Sequence, residues 1–390
     1  HFGPRLRSLR SVPQSTAMAS LRGCFVPAVL VVLVARAVWR WLATHAAGID
    51  TSKRLEQDAS SQCAGLENWM HAGGKWAPQG FHVLCRVSST GSDAHSLWAF
   101  RNATRSTGQF EHLAGTSEAG LRESLEVALN MPRVPRWRKF PWKIFDVTGH
   151  EIELRHLKVG EIGLVFEGGE FQWPAICKGC QRQVDIKGRT YTLRTVSPDP
   201  VAIVIEGFLS DAEANTLRAA AYSKMAPAFV APRGDERFQA RASTTRTGTQ
   251  TFLSEKTCGN VCRDVLLRAR ALTKQLGKEE LQVIRYQQGE QYESHWDYFV
   301  PSAFPQLARN KTGTISPFAY RRNRVSTLFL YLTDVTSGGE TALLAAHGAQ
   351  KHGCNEEDVL KVEARKGRAL LFYSLRADGS RNPASLHAGC

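Results

Sequence analysis

His295-Trp-Asp297 sets an imidazole and a carboxylate two residues apart, and in an extended chain residues i and i+2 point to one side. Both side chains can then meet one ion. Two histidines and one carboxylate on a single face of an octahedron hold Fe(II) and leave positions open for substrate and oxygen. The third ligand has to come from elsewhere, and His387, just beyond the last predicted strand, is the candidate. Spacing alone does not decide the matter, because the chain has 12 histidines and an isolated His-x-Asp is more often structural than metal-binding.

The elements that must position these residues begin near Thr195. Val201–Ile205 reads as a strand, and Ser210-Asp-Ala-Glu213 is a capping box that opens a helix running to about Ser223. A longer helix is predicted from about Glu255 to Leu276, with Val261, Val265, Ala269, Leu272 and Leu276 on one face and Gly277 ending it. Cys258 and Cys262 lie one turn apart on it and read as packing cysteines or members of separate disulfides. The period then changes to that of strands, at Leu281–Tyr286, Val325–Leu332 and Ala369–Leu375. Helices followed by strands predict an α+β fold over residues 196–390, a sheet sandwich or barrel with supporting N-terminal helices, a pattern that the antiparallel jelly roll of cupin type, a double-stranded β-helix, fits.

The rest of the chain says less. Its 390 residues, 43% hydrophobic and 22% charged, suit one large or two medium domains. A net charge of +14 favours anionic partners without naming one. The basic cluster Arg133–Lys143, interleaved with Trp and Pro, reads as a solvated surface loop, and no nucleic-acid partner is expected. Residues 45–195 carry no repeat and no motif with chemistry; short apolar runs broken by glycine predict a small mixed or β-rich region. Within it, Cys177-Lys-Gly-Cys180 lacks both the strand-to-helix context of a redox site and a second pair at zinc spacing, so a turn with structural or disulfide-bonded cysteines is expected.

Nine cysteines and two acceptor sequons, Asn102-Ala-Thr104 and Asn310-Lys-Thr312, fit an oxidising lumen and a glycoprotein. Gly23–Ala35 is a run of 13 residues without charge. Residues 23–44, after a tail at 1–22, are therefore read as a signal anchor or a cleaved signal peptide, with an endoplasmic reticulum or Golgi lumen location and a single-pass type II membrane topology expected.

Several ordered segments resemble the prolyl 4-hydroxylase family of Fe(II)/2-oxoglutarate dioxygenases over roughly Thr195–Cys390. Leu281–Phe299, in which Tyr286-x-x-Gly289-x-x-Tyr292 leads into His295-Trp-Asp297-Tyr-Phe, resembles its first metal motif. Arg324–Leu332 and Gly338-Gly-Glu-Thr341 are similar to its next strand and turn. Lys366–Phe372 and Ser385-Leu-His-Ala-Gly-Cys390 resemble the final strand and the distal ligand. Upstream, Arg246-Thr-Gly248 and Phe252-Leu253 resemble the stretch before the long helix, and Val201–Ser210 the opening of the domain.

The resemblance implies His295, Asp297 and His387 as iron ligands, and Tyr286, Tyr292 and Thr327 as residues lining the 2-oxoglutarate pocket. It implies hydroxylation of peptidyl proline to 4-hydroxyproline, coupled to decarboxylation of 2-oxoglutarate to succinate and CO2, with O2 consumed and ascorbate as reductant. A proline-rich peptide, preformed as polyproline II, is the substrate implied. It also implies a disulfide between Cys354 and Cys390. Two departures follow from the same comparison. Ala342-Leu-Leu344 stands where the family usually has an aromatic residue and a proline, which puts the loop shape in doubt. The family's lysine for the far carboxylate of 2-oxoglutarate lies beyond Cys390, so a C-terminally truncated domain is expected.

Overall fold

In the computed structural model the described residues are 61–71, 77–88, 95–104, 107–112, 117–131, 142–230, 241–242, 246–275, 280–300, 323–351 and 353–390. The expected signal or anchor at 23–44 and the sequon at Asn310 lie outside them. Among the described residues no helix is long and apolar enough to cross a membrane.

Strands β1 (Phe81–Ser88), β2 (His95–Phe100), β3 (Thr107–His112), β4 (Lys143–Phe145), β5 (Glu151–Ile152) and β6 (Ile162–Phe166) form an antiparallel sheet in the order β3-β2-β1-β6-β4-β5. The central pairing joins Phe81 to Phe166. One face is covered by helix α1 (Glu118–Ala128), whose Leu121 and Leu125 pack with Leu84, Leu97 and Ile144. Trp142, from the basic cluster, belongs to this core: its indole N–H donates to Glu126 Oε1 at 2.8 Å and Arg122 lies 3.7 Å over its ring. Arg133–Pro141, the remainder of that cluster up to Trp142, lies outside the described residues.

Two further sheets face each other. Strands β7 (Gln181–Ile186), β8 (Arg189–Pro198) and β9 (Val201–Ile205) join two later strands, β13 (Ser326–Leu330) and β16 (Ala369–Tyr373), in the order β13-β16-β9-β8-β7. The opposing sheet has the order β12-β17-β14-β15, from β12 (Tyr292–His295), β14 (Thr341–Leu343), β15 (Leu360–Val362) and β17 (His387–Gly389). Alternation along the strands supplies both faces of the larger sheet. Ala202 and Val204 of β9, with Leu370 and Phe372 of β16, meet Leu343 and Val362 of the smaller sheet. Ile203 and Ile205, with Leu371 and Tyr373, point the other way and share a core with Leu217, Val265 and Leu272, and with Phe166, Phe171 and Trp173 from the N-terminal part. This is the jelly-roll core expected, and its larger sheet begins at Gln181, so the expected start at 196 falls inside β8.

The supporting helices form as read. Helix α2 (Asp211–Tyr222) opens with the Ser210/Glu213 capping box, and Glu213 also accepts two hydrogen bonds from Arg268 of helix α3 (Glu255–Thr273), at 2.9 and 3.1 Å. Strands β10 (Thr249–Leu253) and β11 (Leu281–Arg285) flank α3 and pair with each other. Helix α3 ends at Lys274, which takes the left-handed conformation at φ 57°, a few residues before Gly277.

Eight cysteines pair as Cys63–Cys85, Cys177–Cys180, Cys258–Cys262 and Cys354–Cys390. The last is the bond implied by the family resemblance, and the second agrees with a disulfide-bonded turn. Cys258 and Cys262 differ from expectation, because they pair with each other. Cys258 (φ −135°) and Gly259 (φ 58°) leave helical geometry, so this first turn of α3 is not the regular helix that put the two cysteines in separate pairs. Asn102 of the first sequon lies on the turn after β2. Its side chain turns inward to accept the Gly80 backbone N–H at 3.2 Å, and its own N–H donates to His82.

Candidate metal centre and its pocket

β12 and β17 run antiparallel with His295 directly opposite His387. Directly opposite residues bring their Cβ atoms to about 5 Å, and the two imidazole centroids lie 4.2 Å apart. Asp297 completes the group: its Oδ1 is 3.7 Å from His295 Nε2 and its Oδ2 is 3.6 Å from His387 Nε2. The structure therefore brings together all three residues singled out as ligands, with one donor atom from each within 4.8 Å of the others.

Both rings are fixed in the tautomer a metal requires. His295 Nδ1 lies 2.8 Å from the Glu293 carbonyl and His387 Nδ1 lies 3.0 Å from the Ser385 carbonyl. A carbonyl only accepts, so each Nδ1 carries a proton, and the neutral form of each ring is the tautomer whose Nε2 lone pair faces Asp297. Each ring thus hydrogen-bonds the carbonyl two residues before it. His387 is 1% exposed, and its Nε2 is buried without a hydrogen-bond partner. A buried acceptor left in that state carries a desolvation penalty of roughly 1–3 kcal/mol, which a cation between it and Asp297 removes. The residues present fit an Fe(II) ion on that ground and on the chemistry of the donor set.

Electrostatics favour the ligand forms. Burial, with His387 beside it, lowers the His295 pKa well below the usual imidazole value, so the ring is neutral at physiological pH. Burial alone would raise the Asp297 carboxyl, but His387, His295 and the Thr327 hydroxyl outweigh it and the net shift is downward. Behind the ligands the packing is aromatic. Tyr292 stacks on His295 at 3.6 Å, Arg246 sits 4.5 Å over the Tyr292 ring, and Phe372 and Phe329 back His387 at 4.8 and 6.0 Å.

Of the residues expected in the co-substrate pocket, Thr327 has its hydroxyl on the metal group itself, donating to Asp297 Oδ2 at 2.5 Å. Thr327→Val should weaken metal affinity about 10- to 100-fold, as loss of a hydrogen bond to a ligand usually does, with little change in melting temperature; metal-binding titration checks this. Tyr286 stands between two glycines. A Cβ on Gly248 would lie 2.6 Å from its ring, and one on Gly389 would lie 3.8 Å from it. Burial pushes the Tyr286 and Tyr292 phenols up, partly offset by Arg246. Both therefore remain donors at neutral pH.

Three further side chains belong to this region and were given no role from sequence. Thr327 and Phe329 face the ligands, and alternation along the chain carries Tyr331 onto the same row. The Tyr331 hydroxyl donates to Thr341 Oγ1 at 2.8 Å, and burial pushes its pKa to about 12. Arg324 brings NH1 to 3.9 Å from Asp297 Oδ1. The signal for Tyr331 was present as period-2 spacing from Thr327. No pattern marked Arg324, whose place depends on how β13 meets the triad. Ala342, Leu343 and Leu344, the departure from the family pattern, are buried, the first two in β14.

Comparison with known proteins follows this geometry. Residues 281–390 match the 2OG-Fe(II) oxygenase superfamily. Prolyl 4-hydroxylase 2 of Arabidopsis thaliana is 34% identical over 209 residues, 51% of this chain and 64% of that protein. Probable prolyl 4-hydroxylase 4 of the same plant is 32% identical over 209 residues, 51% of this chain and 65% of its own length. The chain thus spans just under two thirds of the length of these curated relatives. Among solved structures, a viral collagen prolyl hydroxylase from Paramecium Bursaria Chlorella virus-1 aligns at 21% identity over 48% of this chain and 86% of that one, with a TM-score of 0.32, an overlap too low to add weight. The matched segment contains His295, Asp297 and His387 together with β11 to β17, so this part of the chain is similar to the 2OG-Fe(II) oxygenase superfamily, and the curated proteins it resembles include plant prolyl 4-hydroxylases.

Proposed function

We propose that this chain hydroxylates peptidyl proline at C4, converting 2-oxoglutarate and O2 to succinate and CO2, with Fe(II) held by His295, Asp297 and His387. The observation that carries the reading is the convergence of two Nε2 lone pairs and one carboxylate, each imidazole pinned through its Nδ1. Bound Fe(II), kept reduced by ascorbate, would supply the redox chemistry that joins oxidation of the 2-oxo acid to oxygen insertion at a C–H bond.

The protein's own residues do the remaining work. Thr327 fixes the Asp297 carboxylate so that it cannot rotate away from the imidazoles. Phe329 and Phe372 exclude water from the buried side of His387. Tyr286 and Tyr292, held protonated, offer hydroxyls to a co-substrate carboxylate, and the Tyr331–Thr341 pair supplies further donors along the row that begins at Thr327. A proline-rich peptide suits the open side, because polyproline II is already extended and loses little entropy on binding.

The test is succinate release with a proline-rich peptide, Fe(II) and ascorbate, read together with a gain of one oxygen mass on the peptide. Release that needs iron and peptide is expected; peptide mass unchanged under those conditions overturns the substrate assignment.

We also propose residence in an oxidising lumen, behind a membrane segment at 23–44. Four disulfides and the uncharged run Gly23–Ala35 support it. Protease treatment of sealed microsomes should spare the chain until detergent is added, and digestion without detergent rules the lumen out.

A further inference from the structure

We propose that Arg376 and Arg381, with Trp296 and Tyr298, form a cationic aromatic rim beside the triad that selects proline-containing peptides carrying acidic side chains next to the target residue. This rests on the proline-hydroxylation reading and names its substrate class more closely.

Trp296 and Tyr298 flank Asp297 in the chain, and their rings lie 5.9 Å apart at 25°. Trp296 is 43% exposed, yet its indole N–H is anchored to the Pro383 carbonyl at 2.9 Å. An exposed aromatic face fixed from behind is a surface on which proline rings stack. Arg381 lies 5.9 Å over the Tyr298 ring, and Arg376 NH1 donates to the Arg381 carbonyl at 3.4 Å. Both arginines lie in the connection from β16 to β17, which runs directly into His387.

Their charge is not answered from within. Among the described residues neither Arg376 nor Arg381 takes part in an ion pair, whereas Arg368 pairs with Glu206, Arg268 with Glu213 and Arg365 with Glu363. The one acid in their connection, Asp378, packs against Gly80 of the N-terminal part and accepts the Ser380 N–H through Oδ1. Two cations left without acids at the edge of a site attract an anionic partner and repel a basic one. A chain lying on Trp296 beside the triad brings side chains next to its target proline within reach of them.

Three peptides with one proline and flanking Glu, Gln or Lys would be compared with the full 390-residue chain, binding by fluorescence anisotropy and hydroxylation by mass. The Glu peptide is expected to bind about tenfold tighter than the Gln peptide and the Lys peptide more weakly still, with the differences shrinking as salt rises. In the double variant Arg376→Gln/Arg381→Gln the three affinities should converge, and in Arg381→Glu the order should reverse toward Lys. Equal binding of all three by the unaltered chain, or a Glu preference that survives in both variants, overturns the rim. An acidic preference in binding with no hydroxylation of any peptide leaves the rim standing and removes the hydroxylase reading, so the two failures are distinct.

Discussion

Replacing His387 with alanine should lower iron-dependent succinate release at least about a thousandfold, because it removes one of three ligands from a site whose second-layer partners alone affect metal affinity about 10- to 100-fold. His387 is the most buried of the three, and its Nε2 has no hydrogen-bond partner, so the fold gains nothing from that atom without a cation. The ring does pack against Phe372 and Phe329. Some stability is therefore lost along with the ligand. His295→Ala separates the two effects, since His295 lies nearer solvent and its ring meets Tyr292 on one side. A similar collapse of turnover is expected there with a smaller fall in melting temperature. Turnover unchanged in His295→Ala would show the iron assignment to be wrong.

Trp173→Ala should destabilise the whole chain by roughly 3–5 kcal/mol, a large part of the 5–15 kcal/mol typical of a folded protein. Trp173 is 3% exposed and sits where the N-terminal sheet meets the jelly roll. Its indole N–H donates to the Leu272 carbonyl at the end of α3, and its backbone N–H donates to the Tyr373 hydroxyl on β16, both at 2.8 Å. Phe171 meets its ring edge-on at 4.9 Å. Truncation would open a cavity between three elements and leave the Leu272 carbonyl without its donor. Urea denaturation should show one transition at a clearly lower midpoint. A midpoint within about 1 kcal/mol of the unaltered chain would mean that this junction is not part of the cooperative core.

His295 and Asp297 were legible as a pair because they stand two apart, and His387 only because the segments around all three follow the order of the family resembled. Strands β9, β11, β13 and β16 were legible as well, since each is a short apolar run bounded by turn residues. The N-terminal part was legible only as a mixed or β-rich region, because its central pairing joins Phe81 to Phe166 across α1 and several turns, and no local pattern announces a partner that distant. Trp142 was read with the cations around it in sequence, while Glu126 and Arg122, which engage it in space, come from α1. The contact of Asn102 Oδ1 with the Gly80 backbone N–H joins two segments and could not be read from the three-residue sequon. Cys258 and Cys262 were assigned to a regular helix, and Gly259 breaks the geometry on which that assignment depended.

Anaerobic equilibrium dialysis against Fe(II) addresses the iron site most directly, with the unaltered chain beside His295→Ala, Asp297→Ala and His387→Ala. About one iron per chain is expected for the unaltered protein and none for the three variants, because two ligands do not retain the ion on this donor set. No iron in the unaltered chain, or full occupancy in any of the variants, would contradict the assignment of His295, Asp297 and His387 as the metal centre.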